Sequence, residues 1–372
     1  LVAGAVIDVV EAADPSGSHA VLLESAPRGR LTLTVDVTWL GPHETGAQVL
    51  TTAALGALAR RDDIAELRLV GVDTLPPYAA HLAEHAHVQV VTDLDTVPRS
   101  DAVWYPNQID GRSSIAAARD LGARVIATYL DLIAYDIPRY HASPQAWEAY
   151  RALQRRIALS VDGITTISAD VATRLCQEVP RLDPERVQPI LLGLDHVTAQ
   201  GVPDAPPAAL QSLVSALGSR RFVLVLGNDF AHKNRDFAIR AWQRALQAGQ
   251  QCDLVLAGLH VRSSSSKDAE DDLRARHLDL RGSVHTLDHV DSASRAWLLA
   301  HAAVVLYPTS AEGFGLVPYE AAALGTPSTF TDFGPLREVS GVAGLPATWS
   351  LDAHAADLTA LLADPQAAQA RV

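Results

Sequence analysis

Two glutamates and one lysine carry the chemistry that this sequence can suggest. Glu312 and Glu320 stand eight residues apart in V-V-L-Y-P-T-S-A-E-G-F-G-L-V-P-Y-E-A-A-A-L-G, residues 304–325. The apolar run Val304–Tyr307 has the length of a buried parallel strand. Pro308–Gly315 interrupts it with proline, serine and two glycines and reads as a loop. Leu316–Leu324 is rich in helix formers and is stopped by Gly325 and Pro327. A strand, a glycine loop and a helix N-terminus in succession offer backbone N–H groups and a positive dipole end to an anion such as a phosphate. Glu312 falls in the loop and Glu320 a turn or so into the helix, so both can face one crevice. Glycine-rich turns of this kind also occur without a ligand, and paired glutamates also line solvated faces. The stretch alone leaves both readings open.

A second strand-to-helix turn lies upstream, in V-L-V-L-G-N-D-F-A-H-K-N-R-D-F. Its strand ends at Gly227, and Lys233 sits in the loop just before the next helix. Lys233 and Lys267 are the only lysines in the chain. A lysine at such a turn is a compact point charge suited to a phosphate. His232 and Arg235 flank it and are expected to add positive charge.

These turns need a scaffold, and the rest of the chain supplies an alternating α/β rhythm. Strands are expected at Leu31–Thr38, Leu67–Val72, Val88–Val91, Ala102–Tyr105, Arg124–Tyr129, Gly163–Ser168 and Val187–Leu192. After a proline-rich pause they resume at Phe222–Leu226, Asp253–Ala257, Ser283–Thr286, Val304–Tyr307 and Ser328–Phe330. Helices are expected between most of them, at about 47–60, 235–248 and 293–301 among others. Ser143 and Pro144 read as the cap and first turn of one running to about Leu159. Alternation of this kind means parallel sheet with right-handed crossovers. The length of 372 residues favours two domains. The expected division is an N-terminal extension of unassigned role at 1–30, a Rossmann-like domain at 31–195, a linker at 196–220, and a second Rossmann-like domain at 221–372.

Composition narrows the function classes. The net charge of −13 argues against a nucleic-acid binder and against a polybasic membrane anchor. No apolar stretch has the length of a membrane span, and the opening L-V-A-G-A-V-I meets Asp8 at once and lacks a signal peptide's basic leader. Cys176 and Cys252 are the only cysteines, which suggests reduced thiols and a cytoplasmic setting. There is no methionine, even at position 1, which suggests a piece of a longer product, and the excess of Arg and Ala suggests a GC-rich, bacterial genome.

G-N-D-F-A-H-K-N together with S-A-E-G-F-G-L-V-P-Y-E-A-A-A-L-G-T-P resembles the retaining nucleotide-sugar glycosyltransferases of family 4. These have the GT-B fold, two Rossmann-like parallel-sheet domains facing across a cleft. Glu312 and Glu320 match that family's Glu, seven residues, Glu element (EX7E), and Lys233 matches its basic loop. The layout covers roughly residues 31–360, with the specific motifs confined to 227–234 and 309–338. The resemblance implies that Lys233 holds the diphosphate of a UDP or GDP sugar and that Glu312 faces the sugar. It implies that the backbone at Gly313, Phe314 and Gly315 holds a phosphate oxygen with Leu316 beside it in the donor site, that Glu320 binds the ribose, and that Leu287 lies near the base. Asn228 and His232 fall in the donor loop. G-P-H-E-T-G-A resembles the family's first glycine loop, which places Gly41, His43, Thr45 and Gly46 beside donor and acceptor. Asp131 falls in a segment that usually reads His-Asp-Leu. The sequence departs from the family at Asn228, where Arg is usual, and at Leu130, where His is usual; His43 is a candidate to take the histidine's place.

The expected activity is metal-independent transfer of a sugar with retention to a glycan, a lipid-linked glycan or a protein, with no tightly bound cofactor, no nucleic acid and at most peripheral membrane association. Two alternatives stay open. One is another GT-B enzyme, such as a nucleotide-sugar epimerase or a phosphorylase. The other is a degenerate domain acting as a nucleotide-binding or scaffold module, which Asn228 and Leu130 motivate. Asp93 and Asp95 form an Asp-x-Asp that reads as a surface turn before a metal site. Arg151, Arg155 and Arg156 read as a solvated helix face before an acceptor site. The histidines show no zinc spacing.

Overall fold

The structure is a computed structural model that describes residues 29–42, 44–110, 115–262, 264–277, 283–338, 344–347 and 349–370. The chain divides into two units between Gly193 and Leu194. Nearly all of the expected N-terminal extension lies outside the described residues.

The first unit is built on seven parallel strands in the order β3-β2-β1-β4-β5-β6-β7. They are β1 (Leu31–Asp36), β2 (Ile64–Val70), β3 (Val88–Val91), β4 (Ser100–Tyr105), β5 (Gly122–Tyr129), β6 (Gly163–Thr166) and β7 (Val187–Pro189). Among the described residues its α-helices are α1 (Gly46–Leu58), α2 (Ile115–Leu121), α3 (Ile133–Asp136), α4 (Pro144–Ser160) and α5 (Ala169–Glu178). Successive side chains of a strand point to opposite faces, and β4 shows this directly. Ala102 and Trp104 join one core with Leu33, Val35 and the α1 residues Leu55 and Leu58. Val103 and Tyr105 join another with Ile157 of α4 and Val171 of α5. Both faces of the sheet are therefore covered, which is why the strands read as near-continuous apolar runs.

Local signals account for the helix ends. Ser143 Oγ accepts from Ala146 N at 3.1 Å, with Pro144 at the first helical position. One surface expectation is corrected. Arg156 is exposed as expected, but Arg151 and Arg155 are drawn onto aromatic rings, on which planar guanidinium groups stack well. The Arg151 guanidinium lies 4.5 Å from the Tyr135 ring centroid and 4.9 Å from that of Trp147, and Arg155 Nε donates to Tyr135 Oη at 2.7 Å.

The second unit has six parallel strands in the order β10-β9-β8-β11-β12-β13. They are β8 (Phe222–Leu226), β9 (Asp253–Ala257), β10 (Val284–Leu287), β11 (Val304–Tyr307), β12 (Ser328–Thr331) and β13 (Gly344–Ala347). Its helices are α6 (Asp195–Gln200), α7 (Gln211–Leu217), α8 (Arg235–Gln247), α9 (Lys267–Arg276), α10 (Ser292–His301), α11 (Leu316–Ala323), α12 (Leu351–Ala363) and α13 (Pro365–Gln369). Every residue of β8 and β11 is buried. Val223, Val225 and Leu306 pack on Trp242 of α8 and on Leu358 and Leu361 of α12. The sequence reading has no β13, whose G-L-P-A combines glycine and proline. In the proline-rich stretch after Gly193 the structure has α6 and α7.

Candidate functional site

The second unit gathers its motif residues where β8, β9 and β11 end. β8 runs into Gly227 and β9 into Gly258, both in backbone conformations that glycine alone adopts freely, with φ of 139° and 142°. The two turns lie backbone against backbone. A Cβ on Gly258 would stand 2.2 Å from the Gly227 carbonyl oxygen. Gly227 N donates to Ala257 O at 2.9 Å, and Gly258 N donates to the carbonyl of Leu287, the last residue of β10, also at 2.9 Å. Asn228, at the position where the resembling family has Arg, uses its Oδ1 to accept from Leu259 N at 3.2 Å.

The loop that follows is stitched to the β11 loop. Ala231–Lys233 forms one 3₁₀ turn, and Asn234 adopts the left-handed conformation at φ 52° before α8. Asn234 Nδ2 donates to His232 O at 2.8 Å and to Pro308 O at 2.9 Å, while Ser310 N donates to His232 O at 2.8 Å. These bonds bring Lys233 and Glu312 together as an ion pair between Nζ and Oε1. Tyr307, the last residue of β11, completes the group. Its hydroxyl donates to Glu312 Oε1 at 2.6 Å and lies 3.2 Å from Lys233 Nζ, which also stands 5.2 Å from its ring centroid. The Glu312 and Lys233 side chains are 10% and 18% exposed. Burial alone would push the Glu312 carboxyl up. The Lys233 ammonium and the hydrogen bonds from Lys233 and Tyr307 outweigh it and hold Glu312 below the usual carboxylate range.

The flanking residues do not add charge to this loop as the sequence suggests. His232 is buried, stacked on Phe230 with ring centroids 5.6 Å apart. Burial and the neighbouring Lys233 push its pKa down to about 4, so it is neutral near pH 7. Arg235 is 2% exposed and points beneath the turns, donating to Gly227 O and, at 3.3 Å, to Gly258 O. It holds the scaffold in place and leaves Lys233 as the cation facing Glu312.

Downstream, Gly315 takes the left-handed conformation at φ 85° as the N-cap of α11. A Cβ there would stand 2.5 Å from Leu336 Cδ2. Phe314 is buried, its ring centroid 5.5 Å from that of Tyr319. Gly313 is buried, and Leu316 opens α11, whose first-turn N–H groups have no partner within the helix. Glu320, in α11, is 1% exposed. Its Oε1 lies 2.7 Å from His196 Nε2, and its Oε2 pairs with Arg295 of α10. Burial pushes its pKa up, and the Arg295 charge with the bonds from His196 and Arg295 brings it below the ordinary value.

Sequence reasoning passed over Tyr307, His196 and Arg295. Tyr307 reads as one more apolar strand residue. Arg295 sits in an unremarkable helix. His196 belongs to G-L-D-H at the proline-rich pause, and nothing in its spacing links it to a residue 124 positions on.

The first unit holds its own glycine loop. Tyr78 Oη donates to Gly41 O at 2.7 Å, and Thr45 is the N-cap of α1, of which Gly46 is the first residue, in a capping box with Gln48. Thr45 N donates to Gln48 Oε1 at 3.2 Å. Asp131 Oδ1 accepts from Ile133 N at 2.8 Å, and its carbonyl accepts from Gln108 Nε2 at 2.9 Å. Leu130 is buried. His43 lies outside the described residues. Asp93 caps its own turn, its Oδ1 accepting from Asp95 N at 3.1 Å. Among the described residues no group of three His, Cys, Asp or Glu side chains could hold a metal ion, and no helix is long and apolar enough to cross a membrane.

Residues 214–371 match the family model described as glycosyl transferases group 1. The chain is 25% identical over 227 residues to O-antigen chain mannosyltransferase B of Escherichia coli, covering 60% of this chain and 56% of that protein. It is 26% identical over 268 residues to the MMP alpha-(1->4)-mannosyltransferase of Mycolicibacterium hassiacum, covering 70% and 60% respectively. The chain thus spans less than two thirds of the length of either relative. Among solved structures it is similar to Anabaena HepE in complex with UDP and glucose, with a TM-score of 0.65, 18% identity and 92% of each chain covered. Two all-parallel α/β units and this likeness give the chain the GT-B fold.

Proposed function

We propose that this protein is a retaining glycosyltransferase that moves a hexose or related sugar from a nucleoside-diphosphate donor to a hydroxyl of a glycan, lipid-linked glycan or protein. The observation that carries the reading is the Lys233–Glu312–Tyr307 group beside the Gly313–Leu316 turn. It brings a cation, a buried carboxylate and a helix N-terminus together near the strand ends, where parallel α/β sheets take their ligands. The relatives' mannosyltransferase names and the UDP and glucose held by HepE support the same reaction class.

In that reaction the bond from the anomeric carbon to the β-phosphate oxygen breaks and a bond to the acceptor oxygen forms. The electron pair leaves with the nucleoside diphosphate, which also takes up the acceptor's proton. Negative charge builds on the β-phosphate while the sugar gains positive character. Lys233 meets the phosphate charge, and backbone N–H groups at Gly313–Leu316 add hydrogen bonds to it. Glu312 faces the electron-poor sugar. Glu320 takes the ribose hydroxyls, with Leu287 at the base. Preorganised groups of this kind, removed singly, cost on the order of 10²–10³ in rate. The test is a thermal titration with UDP, GDP and ADP followed by donor-sugar hydrolysis. Stabilisation by one diphosphate and release of that diphosphate from its sugar are expected. No response to any nucleotide would overturn the reading.

A further inference from the structure

Glu320 is the most enclosed carboxylate of the motif, and two partly exposed side chains cover it. Its side chain is 1% exposed, whereas His196 and Arg295 retain 23% and 32%. One oxygen faces His196 Nε2 at 2.7 Å, and the other pairs with Arg295. The two covers are held differently. Arg295 lies in α10, a ten-residue helix with Leu298 and Leu299 buried and its start capped by Asp291 Oδ1, 2.7 Å from Ser294 N. His196 lies in α6, a six-residue segment with no side-chain cap at Leu194 and with Gly201, at φ 66°, just past its end. Short helices are marginal alone and depend on tertiary contacts. Of the two covers, His196 is the easier to move.

We infer that His196 is a latch on the nucleotide subsite: it occupies the Glu320 oxygen that a ribose hydroxyl of a nucleoside diphosphate would take, and must swing aside for that ligand to bind. The inference rests on the proposed role of Glu320 and adds a residue that lowers affinity. A carboxylate oxygen has a second lone pair, so one hydrogen bond does not by itself exclude another. Enclosure adds the barrier: with Glu320 1% exposed, a hydroxyl reaches it only when a covering side chain moves, and His196 is the one on this oxygen. Binding then loses the His196 contact, and a ligand that must first open its site binds more weakly by the fraction of time the site is open.

The experiment compares the unaltered protein with His196→Ala, His196→Gln and Glu320→Ala in calorimetric titrations with UDP, GDP and inorganic pyrophosphate. A partly exposed hydrogen bond of this kind is worth about 0.5–1.5 kcal/mol, so His196→Ala is expected to bind the preferred nucleotide roughly two- to tenfold more tightly. Pyrophosphate has no ribose, and its affinity should not change. His196→Gln, whose amide can still reach the carboxylate, should fall between the two. Equal or weaker nucleotide binding by His196→Ala, or an equal gain for pyrophosphate, overturns the latch. Unchanged nucleotide affinity in Glu320→Ala overturns the ribose role on which the latch depends. Failure of the unaltered protein to bind any of the three overturns the proposed function itself.

Discussion

Replacing Lys233 by Ala separates the chemistry of the site from its electrostatics. The substitution leaves the Glu312 carboxylate, 10% exposed, with the Tyr307 hydroxyl still donating to it at 2.6 Å. Breaking a buried ion pair in this way typically costs about 3–5 kcal/mol, because the surviving charge is stranded. Lys233 keeps 18% exposure and Glu312 can escape by taking up a proton, so about 2–3 kcal/mol is expected near pH 7. For a chain of this size that is roughly 3–4 °C in Tm. The pH dependence follows from two opposite shifts. In the unaltered protein Glu312 is held below its ordinary value, so its contribution is present above that value and is lost as pH falls through the folded one. Without Lys233, burial raises the folded value above the ordinary one. The penalty is then full near pH 7 and is relieved as pH falls. The stability gap between the two proteins should therefore be widest near neutrality and narrow towards about pH 4. Lys233→Ala with Glu312→Gln should recover most of the lost stability, while turnover stays down by about 10²–10³. Urea denaturation across pH, alongside donor turnover, measures both. A gap independent of pH would refute the coupling, and near-normal turnover in Lys233→Ala would remove Lys233 from the phosphate.

Three further substitutions probe the same corner. Glu312→Gln releases Lys233 from its partner, so nucleoside diphosphates should bind more tightly and with steeper salt dependence while turnover falls; calorimetry at two salt concentrations reads this, and weaker binding would count against Lys233 as the phosphate's cation. Tyr307→Phe removes the hydroxyl between Lys233 and Glu312, at a cost of about 1–2 kcal/mol, and should move the acid limb of the turnover profile to higher pH by raising Glu312; an unmoved limb would assign Tyr307 a packing role only. Gly258→Ala sets a Cβ 2.2 Å from Gly227 O at φ 142°, so a loss of about 3 kcal/mol or more is expected by denaturant titration, and a change under 1 kcal/mol would mean that the two turns are free to separate.

What could be read from the sequence divides along a physical line. Strands buried on both faces announce themselves by apolar runs, and β8, β9 and β11 stand where such runs place them. Ser143–Pro144 announces α4 through local hydrogen bonding and a fixed φ. Gly315 and Gly227 mark turns that need positive φ. Contacts between distant segments leave no such trace. The Glu320–His196 contact spans 124 residues, and Lys233 meets Glu312 across 79. The burial that turns His232 from a charge into a neutral stack on Phe230 is likewise a property of the packed loops. Motif spacing identified the loops, and tertiary packing decides the charge state of each group in them.

That division bears on how a chain with a net charge of −13 could take a doubly anionic ligand. The two motif glutamates do not repel it as bare charges, since Glu312 is paired with Lys233 and Glu320 with Arg295. His232 contributes no charge near pH 7, and Arg235 spends its donors on the carbonyls of Gly227 and Gly258. The corner is therefore close to neutral, lined by ion pairs and by the N–H groups that open α11. On the proposed reading a diphosphate arriving there would gain by exchange, taking over Lys233 from Glu312 and meeting backbone dipoles already fixed by Gly315. On that reading such exchange makes affinity modest, and the Glu312 carboxylate that Lys233 leaves is offered to the positive character developing at the anomeric carbon. If that reading holds, the geometry favours the charge distribution of the breaking bond over that of the resting donor, which is the condition for raising a rate.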